Sequence, residues 1–143
     1  MTSDCSAHPY LSQDVNPTMK QHSEGFLNIV KDAKTRVKEE TAPQALERLK
    51  ASPGAILVDV REDGEWRESH LKAAIHLGKG VIERDIEKVI PNKSAELHLY
   101  CGGGFRSALA ADNLQKMGYT NVISIDGGFT ALKENGAELA SGD

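Results

Sequence analysis

The chain has 143 residues, 39% of them hydrophobic and 27% charged, which is the size and composition of a single globular domain with a short extension. Its formal net charge of −4 argues against nucleic acid or an anionic membrane as the main partner, because both attract basic surfaces. No stretch approaches the apolar length of a membrane span, and the first residues lack the apolar centre of a secretory signal, so we expect a cytoplasmic protein.

The first part of the chain predicts a polar leader followed by a helix. Residues 1–24 are polar and aperiodic, so we expect a flexible leader that buries little surface. Cys5 falls in this leader, which argues against a structural disulfide between the two cysteines of the chain. Apolar residues then recur at helical spacing, which predicts an amphipathic helix over residues 25–40. The residues on this spacing are Phe26, Ile29, Val30, Ala33 and Val37.

Residues 41–140 carry the pattern of a parallel sheet covered by helices. Thr41 and Gln44 are spaced as a capping box and predict the start of a helix. Beyond it, predicted strands at 55–60, 73–77, 96–100 and 121–125 alternate with predicted helices at 81–90 and 107–117 and a last one ending near Asn135. This alternation predicts a three-layer α/β domain with a parallel sheet of four or five strands. The carboxyl ends of parallel strands meet at one edge, where such sheets bind ligands.

The segment "CGGGFRS" (101–107) places a reactive side chain at that edge. Cys101 directly follows a predicted strand and a helix begins shortly after it, so unpaired helix N–H groups are expected to favour its thiolate. The three glycines allow successive N–H groups to surround one anion, and Arg106 adds a permanent positive charge at the rim. We interpret Cys101 as a nucleophile in an anion-binding loop. The structural alternative is a buried apolar cysteine beside a permissive turn.

This loop, together with "LVDVREDGEW" (57–66) and "VISIDGGF" (122–129), resembles the motifs of single-domain rhodaneses. The resemblance covers about residues 41–140 and implies a rhodanese-like domain that transfers sulfane sulfur through a cysteine persulfide. In that family the loop from cysteine to arginine has six residues, as from Cys101 to Arg106 here. Phosphatases and arsenate reductases of the same fold use seven residues, so the loop length favours sulfur transfer.

The resemblance also implies the roles of individual residues. Cys101 accepts sulfur from a donor such as thiosulfate or a protein persulfide, and the loop N–H groups stabilise the resulting Cys–S–S⁻. A thiophilic acceptor, which is cyanide in an assay and a thiol or another protein in the cell, then removes the terminal sulfur. No metal or organic cofactor is implied. The predicted substrate contacts are Gly102, Gly103, Gly104, Phe105, Arg106 and Arg61.

Two neighbouring segments have structural interpretations. Arg61 is a candidate second anion contact, and its alternative role is to fix the turn by pairing with Glu62 or Glu65 while Asp59 accepts backbone N–H bonds. Gly127 and Gly128 are expected to let the chain pass close beside the cysteine loop.

Two other functions remain open at the level of sequence. One is a non-enzymatic rhodanese-like module that carries sulfur or regulates a partner. The other, disfavoured by the loop length, is a phosphatase or arsenate reductase.

Overall fold

The structure is a computed structural model that describes residues 9–10 and 22–142. The predicted leader, residues 1–24, lies mostly outside the described residues, and so does Cys5. In the described part of the chain no helix is both long enough and apolar enough to cross a bilayer.

Helices and strands alternate along most of the described chain. The helices are α1 Glu24–Lys34, α2 Ala42–Ala51, α3 Asp63–Glu68, α4 Ile82–Val89, α5 Phe105–Lys116 and α6 Gly128–Glu134. The strands are β1 Lys38–Glu40, β2 Ile56–Asp59, β3 His70–Leu71, β4 Ile75–His76, β5 Leu97–Tyr100, β6 Val122–Ile125 and β7 Leu139–Ala140.

The main sheet is five-stranded and parallel, with the strand order β1-β6-β5-β2-β4. Strands β3 and β7 form a separate antiparallel pair. Because β5 lies between β6 and β2, the residue that follows it is at the centre of the carboxyl edge of the sheet. The predicted α/β class is therefore confirmed, and the sheet has the larger of the two expected strand numbers.

The sheet separates two hydrophobic cores. On one side, Ile86 of α4 and Leu114 of α5 pack against Val58 and other residues of the central strands. On the opposite side, Ala45 of α2 and Leu132 of α6 pack against alternate positions of the same strands. Side chains alternate between the two faces along each strand and so contribute to both cores, which is why most residues of the central strands are apolar.

The amino-terminal helix is shorter than the predicted range 25–40. Helix α1 ends at Lys34, and residues 38–40 form the edge strand β1 instead, parallel to β6. The sequence "KEE" lacks the apolar pattern of a strand, so only its pairing with β6 defines it. Ile29, which was expected on the buried face of the helix, is 55% exposed because α1 packs against α5 through Val30 and Ala33.

The sequence predicted local structure more accurately where a side chain hydrogen-bonds to the backbone within its own turn. The Thr41 hydroxyl accepts the Gln44 N–H at 3.3 Å, and Gln44 Oε1 accepts the Thr41 N–H at 2.8 Å, so the predicted capping box is confirmed. Helix α3 lies in a segment that the sequence predicted only as a turn. This short helix contains no buried residue, and its Glu65 accepts the Glu62 N–H at 3.0 Å.

Candidate active site

Cys101 directly follows β5 and is buried, with an exposed fraction of 1%. Its Sγ accepts a hydrogen bond of 3.1 Å from the Gly104 N–H. Gly104 precedes α5 and has φ = 105°, a conformation that side chains rarely adopt. The glycine therefore allows the chain to turn back over the sulfur and enter the helix directly.

The chain at the start of α6 holds the carbonyl groups of the loop. The contacts are the Phe129 N–H to the Cys101 carbonyl at 2.6 Å, the Thr130 N–H to the Gly102 carbonyl at 3.4 Å and the Gly127 N–H to the Gly103 carbonyl at 3.2 Å. In a trans peptide the C=O and the following N–H point in opposite directions. The N–H groups of Gly102, Gly103 and Gly104 therefore point away from α6, toward the mouth of the loop.

Gly128 is the position of closest approach between the two segments. It has φ = 51°, and a Cβ there would lie 2.3 Å from the Cys101 carbonyl oxygen and 2.9 Å from the Gly102 carbonyl group. Such distances are far inside van der Waals contact, so no side chain fits without a backbone shift. The prediction that the glycine pair permits close passage beside the cysteine loop is confirmed.

Two serine hydroxyls lie beneath the sulfur. Cys101 Sγ is 3.6 Å from Ser107 Oγ, and Ser107 Oγ is 2.8 Å from Ser124 Oγ. Both serines are fully buried, so the hydroxyl pair has no access to solvent. Sequence reasoning missed both residues, although Ser107 completes the "CGGGFRS" motif and Ser124 interrupts an apolar strand.

Arg106, the predicted rim donor, forms a bidentate ion pair with Glu65 of α3. The two nitrogen–oxygen distances are 2.7 and 3.1 Å. The hydrogen bonds from Arg106 lower the pKa of Glu65 below its ordinary value, and those to Glu65 raise the pKa of Arg106. The positive charge at the rim is therefore balanced by a carboxylate within the protein.

Arg61 is placed behind the loop in a buried ion pair. Its guanidinium donates to both Asp59 oxygens at 2.8 to 3.1 Å and to the Ser69 carbonyl at 2.6 Å, and it stacks over the Phe129 ring at 4.2 Å. Asp59 also accepts the Arg61 backbone N–H at 2.8 Å, as the structural interpretation expected. The guanidinium hydrogen bonds go to Asp59 and the Ser69 carbonyl, so the expected ion pairs with Glu62 or Glu65 are not the ones formed. Arg61 supports the ring of Phe129, whose N–H holds Cys101.

A pocket of about 570 Å³ opens above the loop. Its lining residues are His22, Ser23, Phe26, Cys101, Gly103, Phe105 and Arg106. Three of them belong to α1 and the two residues before it, so the amino-terminal helix forms one wall of the site. The Phe26 and Phe105 ring centroids are 6.3 Å apart, and the His22 ring is 4.9 Å from that of Phe105. No local pattern in the sequence indicated this wall.

Comparison with known proteins identifies the family. The family model for the rhodanese-like domain matches residues 41–135, so the chain belongs to the rhodanese-like family. The resemblance noted from the motifs is thereby confirmed.

Individual relatives are distant. The chain is 30% identical over 70 residues to the thiosulfate sulfurtransferase PspE of Escherichia coli (strain K12), which is 49% of this chain and 67% of that protein. It is 30% identical over 69 residues to the putative sulfur carrier protein YrkF of Bacillus subtilis (strain 168), which is 48% of this chain and 36% of that protein. A solved Rhodopseudomonas palustris structure, described as a protein of unknown function and possible tyrosine phosphatase, aligns with a TM-score of 0.74 and 26% identity. That alignment covers 85% of this chain and 99% of the other.

Proposed function

We propose that this protein is a rhodanese-type sulfurtransferase in which Cys101 carries the transferred sulfur as a persulfide. The observation that carries the proposal is the 3.1 Å hydrogen bond from the Gly104 N–H to Cys101 Sγ, in a loop where the N–H groups of Gly102 and Gly103 also point away from α6. Such a loop stabilises a negatively charged sulfur without any added cofactor. Relatives named as a thiosulfate sulfurtransferase and a putative sulfur carrier support the same chemistry.

The first half-reaction loads the cysteine. The Cys101 thiolate attacks the outer sulfur of a donor such as thiosulfate, the S–S bond of the donor breaks, and its electron pair leaves with sulfite. The product is Cys101–S–S⁻, whose terminal sulfur lies among the loop N–H groups. In the 3.6 Å contact the Cys101 thiol donates to Ser107 Oγ. Once the thiol has lost this proton, the Ser107 hydroxyl can turn to donate to the thiolate while Ser124 donates to Ser107, so the buried hydroxyl pair stabilises the thiolate before it attacks the donor.

The second half-reaction unloads it. An acceptor attacks the terminal sulfur, the persulfide S–S bond breaks, and the electron pair returns to Cys101 as thiolate. With cyanide the product is thiocyanate. A sulfur carrier would perform the same two steps with a protein in place of cyanide, so turnover with small donors distinguishes an enzyme from a carrier that works only with its partner.

Incubation with thiosulfate followed by desalting is expected to add one sulfur atom to the protein, because the loop stabilises the persulfide. Intact mass spectrometry measures the adduct, and cyanide or dithiothreitol should remove it. Cys101→Ser should abolish the adduct and Cys5→Ser should retain it. An adduct that persists in Cys101→Ser would refute the assignment of the nucleophile.

Phosphoryl transfer is the alternative chemistry, and the R. palustris protein is described as a possible tyrosine phosphatase. Phosphoryl transfer requires the equatorial oxygens of the phosphoryl group to be held while the leaving group is in line. Here six residues from Cys101 to Arg106 close around a single sulfur, and the Arg106 nitrogens that could hold oxygens bond Glu65. The loop therefore fits sulfur better than phosphate.

The wild-type protein is expected to hydrolyse an aryl phosphate no faster than Cys101→Ser does, under conditions in which the persulfide forms. The physical reason is geometric, since a displacement of about 1 Å from the reactive position costs roughly a hundredfold in rate. Phosphate release measured for both proteins provides the comparison. Hydrolysis that depends on Cys101 would reverse the choice between the two reactions.

A further inference from the structure

We propose that the pocket above Cys101 selects organic sulfane-sulfur donors that have a single negative charge and an aromatic group, in preference to the thiosulfate dianion. This inference rests on the sulfurtransferase function proposed above and names the substrate class of the same site. Two independent features carry it: the charge balance at the rim of the pocket and the aromatic wall contributed by the amino-terminal helix.

The charge balance disfavours a dianion. Among the described residues that line the pocket, Arg106 is the one with a permanent positive charge, and both of its bonds go to Glu65. The nearby Lys34, whose Nζ lies 5.2 Å from the centre of the Phe105 ring, pairs with Glu39 at 3.3 Å. Among the described residues at the pocket, no uncompensated permanent cation would offset the repulsion between a thiolate and a donor with two negative charges. A donor with one charge avoids half of this repulsion.

The aromatic wall favours an apolar group on the donor. The Phe26 and Phe105 rings are tilted by 68° and the His22 and Phe105 rings by 72°, so three rings meet at one side of the pocket. Rings at these centroid distances have the geometry of edge-to-face contacts, in which a further ring can take part. Phe26 and Phe105 are each only half-buried, which leaves ring surface open to a bound molecule.

The wall is held firmly enough to act in selection. Ser23 Oγ accepts the Phe26 N–H at 3.4 Å as the N-cap of α1, which fixes the start of the helix. Just beyond the other end of α1, the Arg36 guanidinium donates to the Asp112 carboxylate of α5 at 2.8 and 3.0 Å. Helix α5 itself begins at Phe105 beside Cys101, so the wall and the nucleophile are attached to one rigid element.

A series of three donors tests the proposal: benzenethiosulfonate, methanethiosulfonate and thiosulfate. In each case the Cys101 thiolate attacks the outer sulfur, the S–S bond breaks, and the electron pair leaves with the sulfinate or sulfite. The first two donors share one charge and differ in the aromatic ring, whereas the last carries two charges. Each kcat/KM is divided by the rate constant of the same donor with free cysteine, which removes differences in intrinsic reactivity.

With wild-type protein we expect the normalised kcat/KM to be about tenfold higher for benzenethiosulfonate than for methanethiosulfonate, and lowest for thiosulfate. Phe26→Ala should lower the ratio of the normalised kcat/KM for benzenethiosulfonate to that for methanethiosulfonate about fivefold. The ratio of methanethiosulfonate to thiosulfate should stay unchanged. Phe26→Leu, which keeps most of the side-chain volume, provides the same comparison if the alanine variant does not fold. Ile29→Ala, an exposed position on the same helix, is the matched control and should change neither ratio.

Glu65→Gln tests the charge argument separately. Glutamine keeps the oxygen that accepts the Glu62 N–H but removes the charge that balances Arg106. We expect it to raise the thiosulfate rate about fivefold relative to methanethiosulfonate. Equal normalised rates for the three donors, or ratios that these variants do not change, would overturn the inference and leave the sulfurtransferase function standing. Failure of every donor to form a persulfide on Cys101 would instead refute the function itself.

Discussion

Gly128→Ala is expected to reduce sulfur transfer at least about a hundredfold, because the added methyl group would displace the backbone of Cys101. The methyl carbon would lie 2.3 Å from the Cys101 carbonyl oxygen, and relief of this clash requires a shift of about 1 Å in one of the two segments. The Phe129 N–H bond to the same carbonyl would be lost or bent in the process. The measurement is kcat/KM with the preferred sulfur donor, alongside a thermal melt.

Gly136→Ala is the matched control for this prediction. Gly136 also has a positive φ, 84°, but a Cβ there meets no atom within 4 Å. Both substitutions carry the strain of a left-handed alanine, about 1 kcal/mol, whereas only the one at Gly128 carries the clash. We therefore expect Gly136→Ala to lower the melting temperature slightly and to leave transfer intact. Wild-type activity in Gly128→Ala would show that the cysteine loop tolerates displacement.

His98→Leu is expected to lower the free energy of unfolding by about 3–5 kcal/mol near pH 6, because it removes a buried cation from between two carboxylates. His98 is fully buried on β5, its Nδ1 is hydrogen-bonded to Glu40, and its Nε2 lies 2.6 Å from a Glu96 oxygen. Arg48 of α2 binds the same Glu96 carboxylate at 2.8 and 2.9 Å. Loss of the imidazolium leaves the two carboxylates facing each other across an apolar side chain.

The pH dependence gives this prediction a distinctive sign. Burial by itself lowers the pKa of His98, but the hydrogen bonds with Glu40 and Glu96 outweigh it and raise the pKa above its ordinary value. The stabilisation is therefore complete below the unfolded value of about 6.5 and is lost as the pH rises through the folded pKa. The difference between wild type and His98→Leu should be largest near pH 6 and should narrow toward pH 9.

Urea unfolding at the two pH values, followed by the fluorescence of the single tryptophan, measures this difference. His98→Gln keeps one N–H donor and should lose less stability than His98→Leu. A difference that stays constant or widens toward pH 9 would show that His98 is not charged in the folded protein.

Glu96 gives a second pH dependence, at acid pH. The hydrogen bond from Arg48, with a contribution from His98, lowers the pKa of Glu96 to about 2. The stabilisation that the Glu96 carboxylate provides should therefore disappear as the pH falls from 4.5 to 2.

Local spacing was enough to predict the parts of the structure that depend on neighbouring residues. The capping box of Thr41 and Gln44 spans one helical turn, and the mostly apolar segment 55–60 needs only burial on both faces to become a central strand. The position of Cys101 follows in the same way, because a strand, a glycine loop and a helix in direct succession place it at the edge of any parallel sheet.

The partners of charged side chains were not predictable, because each has several candidates in the sequence and geometry selects among them. Arg61 was assigned to an anion or to Glu62 or Glu65, yet it bonds Asp59, while Glu65 bonds Arg106 forty-one positions away. The position of α3 beside the cysteine loop selects these ion-pair partners. The same position determines whether the rim of the site is positive or neutral.

What the sequence by itself determined was the position of Cys101 after a strand, the six-residue loop that begins with it and the α/β class, since these follow from residue type and short-range order. Tertiary structure alone decided which elements surround that loop. The edge strand β1 exists only through β6, and Phe26 reaches the pocket only because α1 packs along α5. Contacts between residues so far apart depend on the path of the whole backbone, which no local pattern of side chains encodes.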